Sequence, residues 1–279
     1  MSSMNRLSTN ERAKVVSVLV EGNSLRATAR ITGVARMTVE KLLRDLGKAC
    51  IDHHDRTVRG LGSRRIQCDE IWSFVGAKQK NVPPSKLGQW GDIWTWTAID
   101  ADSKLIVSYL VGGRDASFAQ AFMQDVASRL KSRVQLTTDG HKPYLQAIEG
   151  AFGMDVDYAV LEKHYGVVPP TPNAAIRYSP ATVTSIKRAT ISGKPDHSHV
   201  STSFVERQNL TMRMSMRRFT RLTNGFSKKA EMHLLNVALH FAYYNLCRVH
   251  QSLRVTPAME AGLTDHVWAL DELIGLIGN

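Results

Sequence analysis

The sequence lacks the features that mark exported, disulfide-stabilised or membrane-inserted proteins. Its three cysteines, Cys50, Cys68 and Cys247, lie far apart and form no CxxC pair, which argues against a zinc knuckle and indicates a reducing compartment. No apolar run stands at the N-terminus, and no apolar span is long enough to cross a membrane. We therefore expect a cytoplasmic protein with no membrane partner.

Acidic residues are the scarcer charge. The 279 residues include 25 Asp and Glu against 36 Lys and Arg, a formal net charge of +11. An excess of cations favours a polyanionic partner, because Lys and Arg gain affinity for phosphates by displacing counterions. A content of 43% apolar and 22% charged residues is ordinary for globular proteins, and the length suffices for two or three domains.

Residues 7–48 predict three short helices. Ser24 is a cap for the second helix, and Ala29 and Gly33 are small enough for two helices to cross closely, as a helix-turn-helix requires. A plain three-helix bundle for oligomerisation is the alternative. In the helix-turn-helix interpretation, the third helix would direct four residues outward to a DNA major groove: Arg36, Thr38, Lys41 and Arg44.

These helices define a predicted DNA-binding domain over residues 1–50, followed by a linker over 51–63. The linker is predicted from its glycine and serine positions, and no other metal ligands stand at metal spacing from His53 and His54. Both histidines are therefore expected in solvent.

Residues 64–255 predict an α/β domain. Strand patterns at 65–76, 90–100 and 105–111 are followed by a helical pattern at 117–130, a strand at 134–138, a helix at 143–152 and a strand at 158–161. Three consecutive strands and then alternating helices and strands indicate a mixed sheet with helices on its faces. This is the strand and helix order of the RNase H-like fold.

Two aspartates stand out in that order. Asp69 lies in the middle of an apolar strand, where a carboxylate needs a dedicated partner. Asp139 ends the fourth strand before Gly140, where α/β sheets place ligand-contacting side chains. Taken singly, each aspartate is explained equally well without a functional role. Asp69 would then be an ion-paired acid, and Asp139 would form an Asx-turn.

A basic amphipathic helix is predicted over residues 203–220. Glu206 is its lone acid, and the spacing of three, four and seven residues puts Asn209 and Arg213 on the same face. A solvated basic helix is the alternative. Arg217 and Arg218 extend the basic character toward DNA, and Arg207 is a supporting residue.

Together, Asp69, Asp139 and Glu206 would hold two divalent cations. Mg²⁺ suits carboxylate oxygens while retaining waters and substrate phosphates, and Mn²⁺ can substitute for it. The neighbouring Glu70 alternates to the opposite face of its strand and is expected to be exposed. His141 either touches a substrate phosphate or caps the following helix.

The remaining stretches predict a loop and a helical end. Prolines at 169, 170, 172 and 180 indicate a loop or small strand pair within an insertion over residues 163–202. Residues 228–246 predict a long helix, after which Asn245, Arg248 and His250 either support the site or serve packing and capping. An apolar stripe in residues 256–279 predicts a helical C-terminal tail.

Four blocks of the chain resemble the catalytic blocks of the DDE transposases of the insertion sequence one family. The blocks are CDEIWSFVG from Cys68, WTWTA from Trp94, TDGH from Thr138 and FVERQN from Phe204. They cover roughly residues 60–255, and their combination in this order is specific. Two features differ from that family. The chain lacks the cysteine-rich zinc motif that many members carry near the N-terminus, and His199 and Thr202 stand where some relatives carry Tyr and Arg.

The resemblance implies that Asp69, Asp139 and Glu206 are catalytic metal ligands and that Asn209 and Arg213 contact terminal DNA. It implies a bacterial, nucleoid-associated homo-oligomer that binds terminal inverted repeats and target DNA, cleaves 3′ ends and transfers strands, with no small-molecule substrate. An RNase H-like structure-specific nuclease and a domesticated DNA-binding regulator are the alternatives.

Overall fold

The N-terminal region folds into three helices in the computed structural model, which describes residues 7–166, 183–219 and 224–278. They are α1 (Thr9–Val20), α2 (Leu25–Thr32) and α3 (Arg36–Thr57). Ser8 and Glu11 form a reciprocal capping box at the start of α1, and Ser24 caps α2 as predicted. Gly33 ends α2 at φ 73°, a left-handed conformation that glycine adopts without strain.

Helix α3 is longer than predicted. Residues 51–57 were expected to be a linker, but they form the last two turns of this 22-residue helix. The expectation that His54 is solvated was also wrong: its side chain is buried, and Nε2 lies 3.1 Å from the carbonyl oxygen of Val107. Cys50, His54 and Val58 continue the buried stripe of the helix, and this burial outweighs the linker-like composition.

The central element is a six-stranded mixed sheet. Its strands are β1 (Arg65–Val75), β2 (Gly91–Asp100), β3 (Ile106–Gly112), β4 (Val134–Thr138), β5 (Val156–Tyr165) and β6 (Val183–Ser192), in the order β3-β2-β1-β4-β5-β6. β1 pairs antiparallel with β2 and parallel with β4, and β5 pairs parallel with β4. This order and these directions make the fold RNase H-like, as predicted.

Helices cover both faces of the sheet. α4 (Ala116–Arg129) and α5 (Pro143–Phe152) contact each other, while α6 (Ser203–Ser215) lies against β1 and β2. α7 (Ala230–Ala242) continues into a π-turn at Tyr243–Cys247, and α8 (Pro257–Glu260) and α9 (Leu270–Gly275) follow. The predicted C-terminal tail is thus helical in part.

The N-terminal helices share their core with the rest of the chain. One apolar cluster joins Val16 and Leu43 to Leu235 of α7 and Leu273 of α9. α3 crosses α7 so closely that a Cβ on Gly47 would lie 2.7 Å from the Cβ of Leu235. The three helices are therefore anchored to the sheet domain and do not hang from a linker.

The predicted strand pair in the insertion is present in part. β6 pairs antiparallel with β5, from Tyr158 opposite Ser192 to Tyr165 opposite Val183. The prolines and Arg177 lie outside the described residues. Asn245 exchanges hydrogen bonds with the backbone of Ile106 at 3.0 and 3.1 Å, which favours packing over support of the site for this residue.

Candidate active site

The sheet brings the two candidate aspartates to the same level. β1 and β4 are parallel neighbours in which Gln67 lies opposite Thr137, so a continuation by two residues sets Asp69 beside Asp139. Asp139 directly follows the last residue of β4. Its Oδ1 accepts a hydrogen bond of 3.0 Å from the backbone N–H of His141, the Asx-turn that was the alternative interpretation. The turn also fixes the direction of this carboxylate.

Asp69 is the most perturbed acid of the cluster. Its two carboxylate oxygens each accept one hydrogen bond of 2.8 Å, from the backbone N–H of Glu70 and from Nδ2 of Asn209. Burial, and after it the negative charges of Glu70, Asp139 and Glu206, raise the pKa of Asp69 to about 7. Asp69 is therefore within electrostatic reach of both other candidate carboxylates.

Glu206 lies in the first turn of α6, and a lysine that the sequence analysis missed holds it. Lys163 of β5 places its Nζ 2.5 Å from each carboxylate oxygen of Glu206, and Thr202 donates a hydrogen bond of 2.7 Å to Oε1. A single lysine on a strand carries no local sequence signal, so only the pairing of β5 with β4 brings it here.

A second missed residue, Gln67, fixes the start of α6. Thr202, at the N-cap position, makes no side-chain cap. Instead Oε1 of the buried Gln67 accepts the backbone N–H groups of Phe204 at 2.8 Å and Val205 at 3.2 Å. Because Gln67 and Asp69 belong to the same strand, this contact sets the helix that carries Glu206 against the strand that carries Asp69.

Glu70 is buried, which corrects the expectation that it is exposed. Its carboxylate pairs with Arg114 at 2.6 Å and accepts a hydrogen bond of 3.1 Å from the hydroxyl of Tyr144. Alternation along β1 does point Glu70 away from Asp69, but α4 and α5 cover that face of the sheet. Burial and the charge of Asp139 raise the pKa of Glu70, whereas Arg114 lowers it.

His141 does not cap α5 through its side chain. Its ring packs against Trp96 and Tyr144, with ring centroids 5.8 and 5.9 Å apart. Within the described chain its Nε2 is buried without a hydrogen-bond partner.

The donor set has the chemistry, but not the present arrangement, of a divalent-cation site. As the side chains stand, no group of three His, Cys, Asp or Glu within residues 7–166, 183–219 and 224–278 could hold a metal ion. The chemistry of the donors nevertheless fits. A cation would relieve the repulsion that raises the pKa of Asp69, and the buried Oδ1 of Asn209 has no partner among the described residues. Carboxylate and amide oxygens are ligands of hard cations such as Mg²⁺.

The basic residues predicted to contact DNA from α3 are engaged within the protein. Arg36 pairs with Glu40 at 3.3 Å, Lys41 with Asp45 at 2.5 Å, and Arg44 with Glu231 at 2.6 Å. Thr38 is partly buried. These acids reduce the positive charge that the third helix presents.

Helix α6 is shorter than predicted. It ends at Ser215, because Met216 leaves the helical conformation, and Arg217–Phe219 form a separate 3₁₀ turn. Arg217 is exposed, whereas Arg218 is partly buried. Arg221 lies outside the described residues.

Along α6 itself, Asn209 faces Asp69 as the spacing predicts, and Arg213 is partly buried. Arg207 is exposed on another face.

No helix in the part of the chain that the structure describes is both long and apolar enough to cross a membrane. No model of a protein family matches the chain, and no curated protein matches its sequence. Among solved structures, a piggyBac transposase synaptic complex with hairpin DNA is 11% identical at a TM-score of 0.46, covering 99% of this chain and 73% of that one.

Two further similar structures are of the Mos1 transposase. Its paired-end complex with the left transposon end is 14% identical at a TM-score of 0.25, and the match covers 57% of this chain and 60% of that one. Its strand transfer complex is 14% identical at a TM-score of 0.23, covering 86% of this chain and 78% of that one. All three similar structures are transposases, and none of these matches assigns this chain to a family.

Proposed function

We propose that this chain is a DNA transposase that binds the terminal inverted repeats of its own element, cleaves the 3′ ends and joins them to target DNA. The observation that carries the proposal is that neighbouring parallel strands of an RNase H-like sheet set Asp69 beside Asp139, while the helix that carries Glu206 is hydrogen-bonded to Asp69 through Asn209. The four sequence blocks around these acids support a relation to the DDE transposases of the insertion sequence one family.

The cation ligands in this proposal are Asp69, Asp139 and Glu206, with the amide oxygen of Asn209 beside Asp69. Two Mg²⁺ ions, or Mn²⁺ in their place, supply Lewis-acid polarisation of the phosphodiester and activation of water when bound. Other side chains of the protein hold these ligands in position. Gln67 fixes α6 against β1, and the Asx-turn directs Asp139.

Two chemical steps follow from this assignment. Water attacks the phosphorus at the element end, and the 3′ oxygen leaves as a hydroxyl. That hydroxyl then attacks a phosphodiester of the target, so one P–O bond forms as another breaks and no covalent enzyme intermediate is needed. Because two element ends must be joined, the acting species is a homo-oligomer in this proposal.

The domain assignment belongs to the same proposal. Residues 1–50 would bind DNA as a helix-turn-helix and residues 64–255 would catalyse, in a bacterial, nucleoid-associated protein. The acids paired with Arg36, Lys41 and Arg44 would have to release these side chains to DNA phosphates.

The test incubates purified protein with labelled DNA from the flanks of its own gene, in Mg²⁺ or in EDTA. Metal-dependent nicking at the element end, followed by joining, is expected for the wild type and for Asp155→Asn, a control that neutralises an exposed acid outside the site. Asp139→Asn should abolish both steps. Cleavage of branched junctions regardless of end sequence would indicate a nuclease instead, and binding without cleavage would indicate a regulator.

A further inference from the structure

A groove enclosing about 600 Å³ lies between the N-terminal helices and the segment that follows α6. The start of α2 and of α3 forms one wall, and the 3₁₀ turn at Arg217–Phe219 with residues 224–229 forms the other. Of the residues lining it, Glu40 is the acidic one, and it is engaged by Arg36 and Arg44. Six cationic residues line the groove: Arg26, Arg36, Arg217, Arg218, Lys228 and Lys229.

Among the residues that the structure describes, no acidic side chain pairs with the charged Arg218. Its guanidinium donates hydrogen bonds of 2.9 Å to Oδ1 of Asn236 and to Oγ of Ser227, which are both neutral groups. Burial lowers the pKa of Arg218 to about 10, and no neighbouring charge opposes that effect. The nearby His233 is a neutral imidazole and supplies no counter-charge, since burial and Arg218 lower its pKa to about 3.

Two other arginines that are buried or partly buried are paired with acids. Arg44 contacts Glu231, and Arg129 contacts both Asp55 and Asp125. No aspartate or glutamate stands in the segments outside the described residues, so these segments offer Arg218 no acidic side chain. Since a buried charge is costly unless it is paired, an anion in the groove would supply the missing partner.

We propose that this groove binds the phosphodiester backbone of duplex DNA, with a phosphate oxygen serving as the counter-charge of Arg218. The exposed side chains of Arg217, Lys228 and Lys229 would contact adjacent phosphates. Charge complementarity selects this occupant. The groove presents six cations, and a duplex offers one phosphate charge about every 1.7 Å of helix axis.

The position of the groove deepens the proposed function, on which this step rests. Helix α6 carries Glu206 in its first turn and ends at Ser215, beside the groove. At 1.5 Å per residue, these positions are about 14 Å apart along the helix axis. With a rise of about 3.4 Å per base pair, this separation equals about four base pairs, so a duplex that runs along α6 from the groove would reach the carboxylates.

The first test measures binding of a short labelled duplex across a range of salt concentrations in EDTA. The double variant Arg217→Ala/Lys229→Ala removes two groove charges. Lys80→Ala/Lys131→Ala removes two exposed charges outside the groove and outside residues 1–50 and is the matched control. The groove variant should lower affinity roughly tenfold at moderate salt and reduce the slope of log K against log salt by about two. A slope and affinity equal to those of the control would overturn the proposal.

The second test uses Arg218→Met and reads thermal unfolding with and without the same duplex. Loss of an unneutralised charge should leave the Tm of the free protein close to that of the wild type, while the rise in Tm on adding DNA is largely lost. A variant that unfolds at a much lower Tm but retains the full DNA-dependent rise would assign Arg218 a structural role and contradict the proposal.

Two further results separate the alternatives. Displacement of the duplex by poly-glutamate as effectively as by unlabelled duplex would identify an acidic protein surface as the occupant and overturn the DNA assignment. Groove-dependent binding in a protein that never cleaves would leave this inference standing and remove the transposase proposal. Cleavage that the groove variants do not change would leave the transposase proposal standing and overturn this inference.

Discussion

The ammonium of Lys163 lies 2.5 Å from both carboxylate oxygens of Glu206 and so neutralises the third acid of the candidate site from a neighbouring strand. The side chains are 22% and 41% exposed, so the pair is open to solvent on one side and can separate. Any cation that binds Glu206 must compete with this lysine.

Lys163→Met should therefore tighten Mg²⁺ binding in the absence of DNA, roughly tenfold, which corresponds to about 1.4 kcal/mol. Titration calorimetry gives the affinity directly. Lys187→Met, one strand over on β6, removes the same charge away from Glu206 and should change the affinity little. Unchanged or weaker binding in the Lys163 variant would mean that the lysine does not compete with the cation.

The raised pKa of Asp69 should give the stability of the protein an unusual dependence on pH. Its pKa is about 7 in the folded protein against an ordinary 3.8, so between these values the folded state holds a proton that the unfolded chain has released. The contribution of Asp69 to the free energy of unfolding therefore falls as the pH rises between these two pKa values. The loss reaches up to about 4 kcal/mol at the upper end of this pH range. Asp69→Asn should raise the Tm at pH 8 in EDTA and change it little at pH 4.

The difference in Tm between the wild type and Asp69→Asn reports on the Asp69 carboxylate alone. Wild type and variant share the buried histidines His54 and His233, whose pKa burial lowers to about 3, so their acid sensitivity cancels in the difference. An equal difference in Tm at both pH values would contradict the raised pKa. Added Mg²⁺ should reduce the difference at pH 8.

Gln67→Met removes the acceptor for two N–H groups at the start of α6 while keeping the side-chain volume. The part-buried N–H of Phe204 and the buried N–H of Val205 would lose their partner, which should cost about 1–3 kcal/mol in the free energy of unfolding. Gln135→Met is the control. Gln135 also bonds backbone, but its contacts with Asp196 are exposed to water, so urea unfolding should show a smaller loss. Equal losses would contradict the capping role.

Gly47→Ala tests the close crossing of α3 and α7. The added methyl would meet Leu235 at 2.7 Å, so the helices must separate, at a cost of about 1–3 kcal/mol. Gly150→Ala within α5 meets nothing within 4 Å and should stabilise the protein by about 0.5–1 kcal/mol. Opposite signs of the change in Tm are expected, and a neutral Gly47→Ala would mean that the interface is loose.

The sheet was predictable because each of its first five strands carries its own pattern and each turn its own residues. The parallel neighbours β1 and β4 then bring Asp69 and Asp139 together without further information. The face of α6 was predictable for the same reason, since helical spacing alone aligns Glu206 with Asn209.

The missed features depend on contacts that are distant in sequence. Glu70 was expected to be exposed because alternation implies one wet face, whereas helices cover both faces of this sheet. No glycine or proline marks the end of α6 in the sequence. The helix ends where Met216 and Phe219 become buried. Lys163 and Gln67 acquire their roles only through β5 and α6, and no local pattern indicates them.

The apolar cluster that joins α1 and α3 to α7 and α9 also bears on how this protein can change over evolutionary time. A DNA-reading unit on a flexible tether can be exchanged between proteins as a cassette. Here, removing the first 58 residues would uncover Leu235 and Leu239 in water and leave the sheet domain without part of its interior. In the proposed function, new DNA specificity would therefore arise through point substitutions on the surface of the N-terminal helices and not through exchange of a whole domain.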